Sequence, residues 1–274
     1  MEQYEKKGYL NSEFRLFHLT DQETKEIDYH YHDFDKITIF IRGKVNYMIE
    51  GRSYDLKPYD IVLVKQGDIH RLTVDNSCPY ERIIVYISPN FMNAYQTDNY
   101  VQKATKEHSN VLRIPSFEKS SLFRSISQLE HSFTDGGYAS ELYRQVMFLE
   151  FMIHLNRAVR KNRLEYIDTD NCNEKVLAIL DYVGEHLCEN LSIDLIADQF
   201  YISKYYMMRL FKQETGYTLG QYISQKRLLL AKELLSTGAP GTQVCYDCGF
   251  KNYSTFSRAY KQLFGVTPSG RTCP

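Results

Sequence analysis

A chain of 274 residues, 43% hydrophobic and 24% charged, has room for two domains and too much apolar character for a disordered chain. No apolar run approaches the roughly 18 residues that would span a membrane. The net charge of −1 does not advertise nucleic acid. It does hide an asymmetry: from Lys175 onward eleven Lys and Arg face eight Asp and Glu, a surplus of +3, so the preceding residues carry −4.

In chain order, residues 1–10 are charged and lack an apolar core, so no signal peptide and a cytoplasmic location are expected. Residues 14–87 are β-rich: β-branched runs at 37–41, 45–49, 61–64 and 83–87 are punctuated by Gly43, Gly51, Pro58 and Gly67. Short strands at regular spacing predict a sandwich or small barrel. His30, His32 and Lys36 share one strand face, because side chains alternate, and His70 would approach from a second strand. Three imidazoles and a lysine pointing inward suit a polar or anionic small molecule; the bland alternative is a set of hydrogen-bonded fillers at a barrel mouth.

Pro89 closes the strand region, and residues 91–100 and 117–133 read as helices. After Gly136-Gly137 a longer helix spans 138–160. On it Leu142, Val146, Leu149, Ile153 and Asn156 fall close to a heptad spacing. That stripe predicts either a seam with a second copy or packing on the chain's own barrel. Residues 161–174 are polar and aperiodic and read as a linker. A helix over 174–189 opens the last domain.

Residues 191–216 and 242–268 hold one pattern twice: a short helix, a tight turn, then a longer helix stopped by Gly216 or Gly265. In the first copy Met207, Leu210 and Phe211 face inward, leaving Lys204, Tyr205, Met208, Arg209 and Lys212 outside. In the second, Phe256, Tyr260 and Phe264 face inward, leaving Tyr253, Ser254, Ser257, Arg258 and Lys261. An arginine can bond two acceptors on a guanine edge, and lysines suit phosphates. Between the copies, a helix over 219–236, entered through a Thr218–Gln221 capping box, would be about 27 Å long. A rod of that length could hold two reading helices about one DNA turn apart. Cys245-x-x-Cys248 stands alone, so it reads as core packing rather than metal or redox chemistry.

These residues resemble the DNA-binding domain of AraC-type transcription regulators. The likeness lies in Met207, the run Arg209-Leu210-Phe211-Lys212, Glu214-Thr215-Gly216, Gly249-Phe250, Phe256, Arg258, Tyr260-Lys261 and Phe264-Gly265-Val266-Thr267-Pro268. Cys245 and Cys248 depart from the small residues usual there, and Arg271 is the last basic residue. The resemblance implies Tyr205, Met208 and Arg209, and Tyr253, Ser254, Ser257 and Arg258, as base contacts. It also implies double-stranded DNA, RNA polymerase and a second copy of the chain, through 138–160, as partners. His30 to Gly43 and Asp60 to His70 are similar to the two motifs of a cupin barrel. In metal-binding cupins such a histidine triad plus a glutamate holds a divalent ion. Here Lys36 stands where the glutamate would, so no metal and no cofactor are expected. Likeness to sugar-responsive relatives adds Arg42 and Arg82 as ligand contacts and suggests that residues 1–13 could close over the pocket.

The expectation is an α+β protein: a cupin-like barrel with flanking helices over 1–160, a linker over 161–174, and an all-α domain of two helix-turn-helix units over 175–274. It is expected to be a non-enzymatic regulator, an activator, responding to a sugar or carboxylate. A metal-dependent cupin enzyme with a DNA-binding appendage, or a barrel that only dimerises, are the competing readings.

Overall fold

The computed structural model describes residues 14–22, 27–88, 91, 109–115, 120–169 and 173–269. The chain falls into two compact units, Met1–Asn171 and Cys172–Pro274. The expected arm over 1–13 and all but the first residue of the helix at 91–100 lie outside the described residues.

The first unit is built on antiparallel strands. Six form one sheet in the order β1 (Phe14–Asp21), β8 (Tyr80–Ile87), β3 (Asp35–Arg42), β6 (Ile61–Val64), β9 (Val111–Arg113) and β10 (Glu165–Tyr166). Four form a second sheet in the order β2 (Ile27–His30), β7 (His70–Val74), β4 (Val45–Ile49) and β5 (Arg52–Asp55). Alternation along the strands sorts the core into two layers. Ile37, Ile39, Ile61, Leu63, Ile83, Val85 and Ile87 pack with Ile126, Leu129, Phe148, Phe151 and Leu155 of two helices, α1 (Ser121–Ser132) and α2 (Ser140–Arg160). Their neighbours Phe40, Val62, Val64 and Tyr80 turn the other way and pack with Tyr47, Ile49 and Leu72 of the second sheet. Both faces of the central strands β3, β6 and β8 are therefore buried, which is why these read as near-continuous apolar runs.

Three sequence boundaries shift for local reasons. Helix α1 starts late because the Ser120 hydroxyl accepts from Phe123 N at 3.2 Å and caps it there. Helix α2 starts at Ser140 because Ala139 is left-handed, with φ 54°. Within the expected linker, Glu165 and Tyr166 pair with Arg113 and Leu112, so the sheet runs on past residue 160. Two backbone pairings leave no compositional trace.

The second unit holds α3 (Glu174–Glu185), α4 (Ile193–Gln199), α5 (Lys204–Thr215), α6 (Leu219–Ser236), α7 (Gly241–Asp247) and α8 (Tyr253–Phe264). Ser192, Ser203, Thr218 and Asn252 each cap a helix by accepting the backbone N–H three residues on, and Thr218 with Gln221 forms a reciprocal capping box. Gly216 and Gly265 close α5 and α8 at φ 74° and 77°, a region open to glycine. Among the described residues, no helix is long and apolar enough to cross a membrane.

Candidate nucleic-acid interface and effector site

The two helix-turn-helix units are built on one plan. Ile202 N donates to Ala197 O at 3.1 Å, and Phe250 N donates to Cys245 O at 3.0 Å, so the two turns are made alike. Ala197 and Cys245 take the same place, buried where the helices cross, and both are small. Cys245 and Cys248 are free, buried thiols, and burial pushes the Cys248 thiol up to about 12, which keeps it unreactive. The second turn has one more residue before its long helix than the first.

On α5 the buried face is Met207, Leu210 and Phe211, and Lys204, Tyr205, Met208, Arg209 and Lys212 are exposed. Tyr205 is 73% exposed, a surface cost that a solvated helix has no reason to carry. Lys204 is held by Asp194 at 2.8 Å, so it would have to exchange that partner for a phosphate. On α8, Ser254, Arg258 and Lys261 are exposed, and Arg258 Nε donates to Ser254 O at 3.3 Å. Tyr253 and Ser257 are only half-exposed. Tyr253 packs on the α7–α8 core, with its ring 5.9 Å from that of Phe256, so its first duty is to seat the helix.

Sequence reasoning missed Arg227. From the middle of α6 its Nε donates to Leu187 O at 2.8 Å, Nη2 to Glu189 O at 2.7 Å and Nη1 to Gly249 O at 2.9 Å. Leu187 and Glu189 lie just before the first helix-turn-helix, and Gly249 is the turn of the second. One guanidinium therefore ties both reading units to the helix between them. Gly249 permits this: it sits at φ +80°, and a Cβ there would stand 2.9 Å from Arg227 Cζ and from Cys188 O. In the sequence Arg227 looks like any cation on an amphipathic helix, because its partners are 22 to 40 residues away.

In the barrel, His30, His32 and His70 are brought together, buried, with ring centroids 4.2 to 5.1 Å apart. The ring Nδ1 of His30 lies 2.8 Å from Asp28 O, and that of His70 lies 3.0 Å from Asp68 O. A carbonyl only accepts, so each Nδ1 carries a proton, and a neutral ring would present a lone pair at Nε2. His70 Nε2 is buried without a hydrogen-bond partner. Burial first, then the neighbouring Lys36, His30 and His32, hold the His70 imidazole well below its ordinary value of 6.5, so it is neutral.

Lys36, Thr38 and Phe40 alternate inward along β3, and Lys36 Nζ donates to Tyr47 Oη at 3.0 Å in a fully buried setting. Burial lowers its pKa to about 8. Arg82 is also buried, ion-paired to Asp21 at 2.6 Å and stacked over Tyr80, and its charge reaches Lys36. Arg42 is placed elsewhere. The β3–β8 register slips between Phe40 and Arg42, so Arg42 turns outward to Glu81 at 2.9 Å, beside His18. A bulge re-aims a side chain in this way and cannot be read from strand periodicity. The ligand atoms of the three histidines lie within 4.8 Å of one another. Three imidazoles can ligate a dication, but one held there would stand against the Lys36 charge, which argues against a resident divalent ion.

Two family models match the chain: an AraC-like ligand binding domain over residues 16–147 and a helix-turn-helix domain over residues 196–270. The HTH-type transcriptional activator RhaS of Escherichia coli (strain SMS-3-5 / SECEC) is 25% identical over 243 residues, 87% of this chain and 85% of its own. The C-terminal domain of AraT, a response regulator from Geobacillus stearothermophilus, is 28% identical over 35% of this chain and 82% of that one, with a TM-score of 0.34. ToxT from Vibrio cholerae is 17% identical over 94% of this chain and 97% of its own, with a TM-score of 0.37.

Two outcomes follow. A lysine buried with its pKa at about 8 costs stability fully below pH 8, and the cost fades as pH approaches the unfolded value near 10. Lys36→Met should therefore be more stable than wild type by on the order of 2–3 kcal/mol at pH 7, with the gain shrinking above pH 8. Denaturant melts across pH check it; no gain at pH 7 contradicts it. Arg227→Ala should cost about 2–3 kcal/mol, since it strands carbonyls that a charged donor had satisfied. Urea unfolding followed by a probe in the second unit reads this, and an unchanged midpoint would refute the tie.

Proposed function

The chain belongs to the AraC-type transcription regulators, and from that premise we propose that α5 and α8 enter successive major grooves of double-stranded DNA. The observation that carries this is the pair Arg209 and Arg258. They hold equivalent, exposed places on two capped helices of one helical body. Arg209 with Tyr205 and Met208, and Arg258 with Ser254 and Ser257, read base edges, while Lys204, Lys212 and Lys261 meet phosphates. Tyr253 contributes at the edge of its contact.

The barrel is the sensor, and its effector is a small polar metabolite. Imidazoles that present lone pairs, with the Lys36 ammonium as donor, suit the alternating donors and acceptors of a sugar better than a bare carboxylate. His30, His32, Lys36, His70 and Arg82 form the contact set, and Arg42 acts only at the rim. The effector shifts DNA occupancy by binding one arrangement of the regulator more tightly than another. As in RhaS, whose name is that of an activator, the outcome is activation, with RNA polymerase as the partner at the promoter. The protein works in the cytoplasm without catalysis of its own.

It works as a homodimer. Phe148, Phe151, Met152 and Leu155 bury the inner face of α2, while Leu142, Val146 and Ile153 stay 59%, 48% and 47% exposed on the outer one. That outer row is the heptad-like stripe, and a second copy would cover it.

On a cognate site, Arg209→Ala should cost about 1–3 kcal/mol and relax choice at one or two base pairs. Lys212→Ala should weaken all sequences alike and reduce the salt slope by about one unit. Binding titrations on matched and mutated sites separate the two, and a neutral Arg209→Ala would displace the reading helix from this account. Val146→Glu should convert a dimer to a monomer in sedimentation. A wild-type monomer at micromolar concentration would remove the α2 interface.

A further inference from the structure

A cavity lies in the first unit, and none of the three histidines of the barrel lines it. It holds about 610 Å3 between the start of α1, the end of α2 and residues 161–164. Leu122 and Leu164, both buried, form part of an apolar floor. Around it stand Arg124, Arg157, Lys161 and Arg163, all exposed, with His154 beside them. Among the described residues none of these four cations makes an ion pair, and no Asp or Glu lines the cavity.

The clustering runs against the local charge. Residues 1–174 carry a net −4, with acidic groups available to neutralise an isolated cation. Four unpaired positive side chains around one concavity repel one another, and an anion relieves that repulsion. The first turn of α1, at Ser120, Ser121 and Leu122, also faces the cavity and adds the positive end of a 12-residue helix. Guanidinium forks match phosphate and carboxylate oxygens in pairs, and the apolar floor suits a carbon skeleton. The volume falls in the range of small-molecule sites.

We propose that this cavity binds a small organic polyanion, one carrying phosphate or several carboxylates, as an input separate from the histidine pocket. A concavity with an apolar floor favours a compact molecule over a nucleic-acid backbone, which is met by open stripes of charge. Arg163 and Leu164 directly precede β10, the last strand of the unit before its boundary at Asn171. An anion gripped by Arg157, Lys161 and Arg163 would fasten the end of α2 to the segment that leads out of the sensor.

Calorimetry and thermal melts of the full chain with pyrophosphate, citrate and glucose 6-phosphate, and with glucose as the neutral control, test the site. At least one polyanion should bind in the micromolar to low-millimolar range and raise the Tm. The double variant Arg157→Gln/Arg163→Gln should weaken it at least tenfold, and Arg124→Gln alone about threefold, with operator binding retained as proof of folding. Glucose, which lacks charge, should show no binding that depends on Arg157 or Arg163. The proposal fails if no polyanion binds at about 10 mM, or if the double variant binds as wild type does. It also fails if non-operator DNA displaces the bound anion, because the cations would then belong to a DNA backbone contact.

Discussion

One guanidinium and the helix that carries it decide whether the second unit is a reader or two loosely joined fragments. Sequence-specific recognition by two short helices gains from pre-organisation, because ordering the pair on DNA would otherwise subtract from the contacts made. Helix α6 supplies length, and Arg227 supplies fixation: it bonds carbonyls on both sides of the joint. The left-handed Gly249 leaves the space that the guanidinium fills. The exposure of Arg209 and Arg258 has meaning only because that joint holds.

The sensor shows the opposite economy. Along β3, odd positions build the layer against the helices and even positions build the barrel interior, where Lys36 is buried and donates to the Tyr47 hydroxyl. Burying an ammonium beside imidazoles destabilises the fold, and such a cost persists where function requires it. A proton on Lys36 and a lone pair on His70 set out the complement of a polar ligand before one arrives.

Much of this was legible in the sequence. Helix α6 follows from its Thr218–Gln221 box and its apolar stripe, and the reading helices follow from Ser203, Asn252, Gly216 and Gly265, because caps and stops are local chemistry. The set of His30, His32, Lys36 and His70 was visible as residue types, but alternation along one strand does not assemble it: His30 ends β2 in one sheet and Lys36 lies on β3 of the other, so the two sheets bring them together. What stayed hidden was non-local. Arg227 meets carbonyls far along the chain, and a register slip sends Arg42 to Glu81. Strand β10 rests on backbone pairing that composition does not mark. The cationic cavity gathers Arg124 from α1 and Arg157 and Arg163 from beyond, which no single window of sequence displays together.

The rigid reader can be measured directly by binding the full chain to operators whose two subsites are pushed apart by about half a turn of DNA, roughly 5 base pairs. A fixed pair of reading helices predicts that the insertion drops affinity to that of a single subsite, and that a full-turn insertion does not restore it. Equal affinity for the parent and the half-turn operator would show two independent readers and contradict the account.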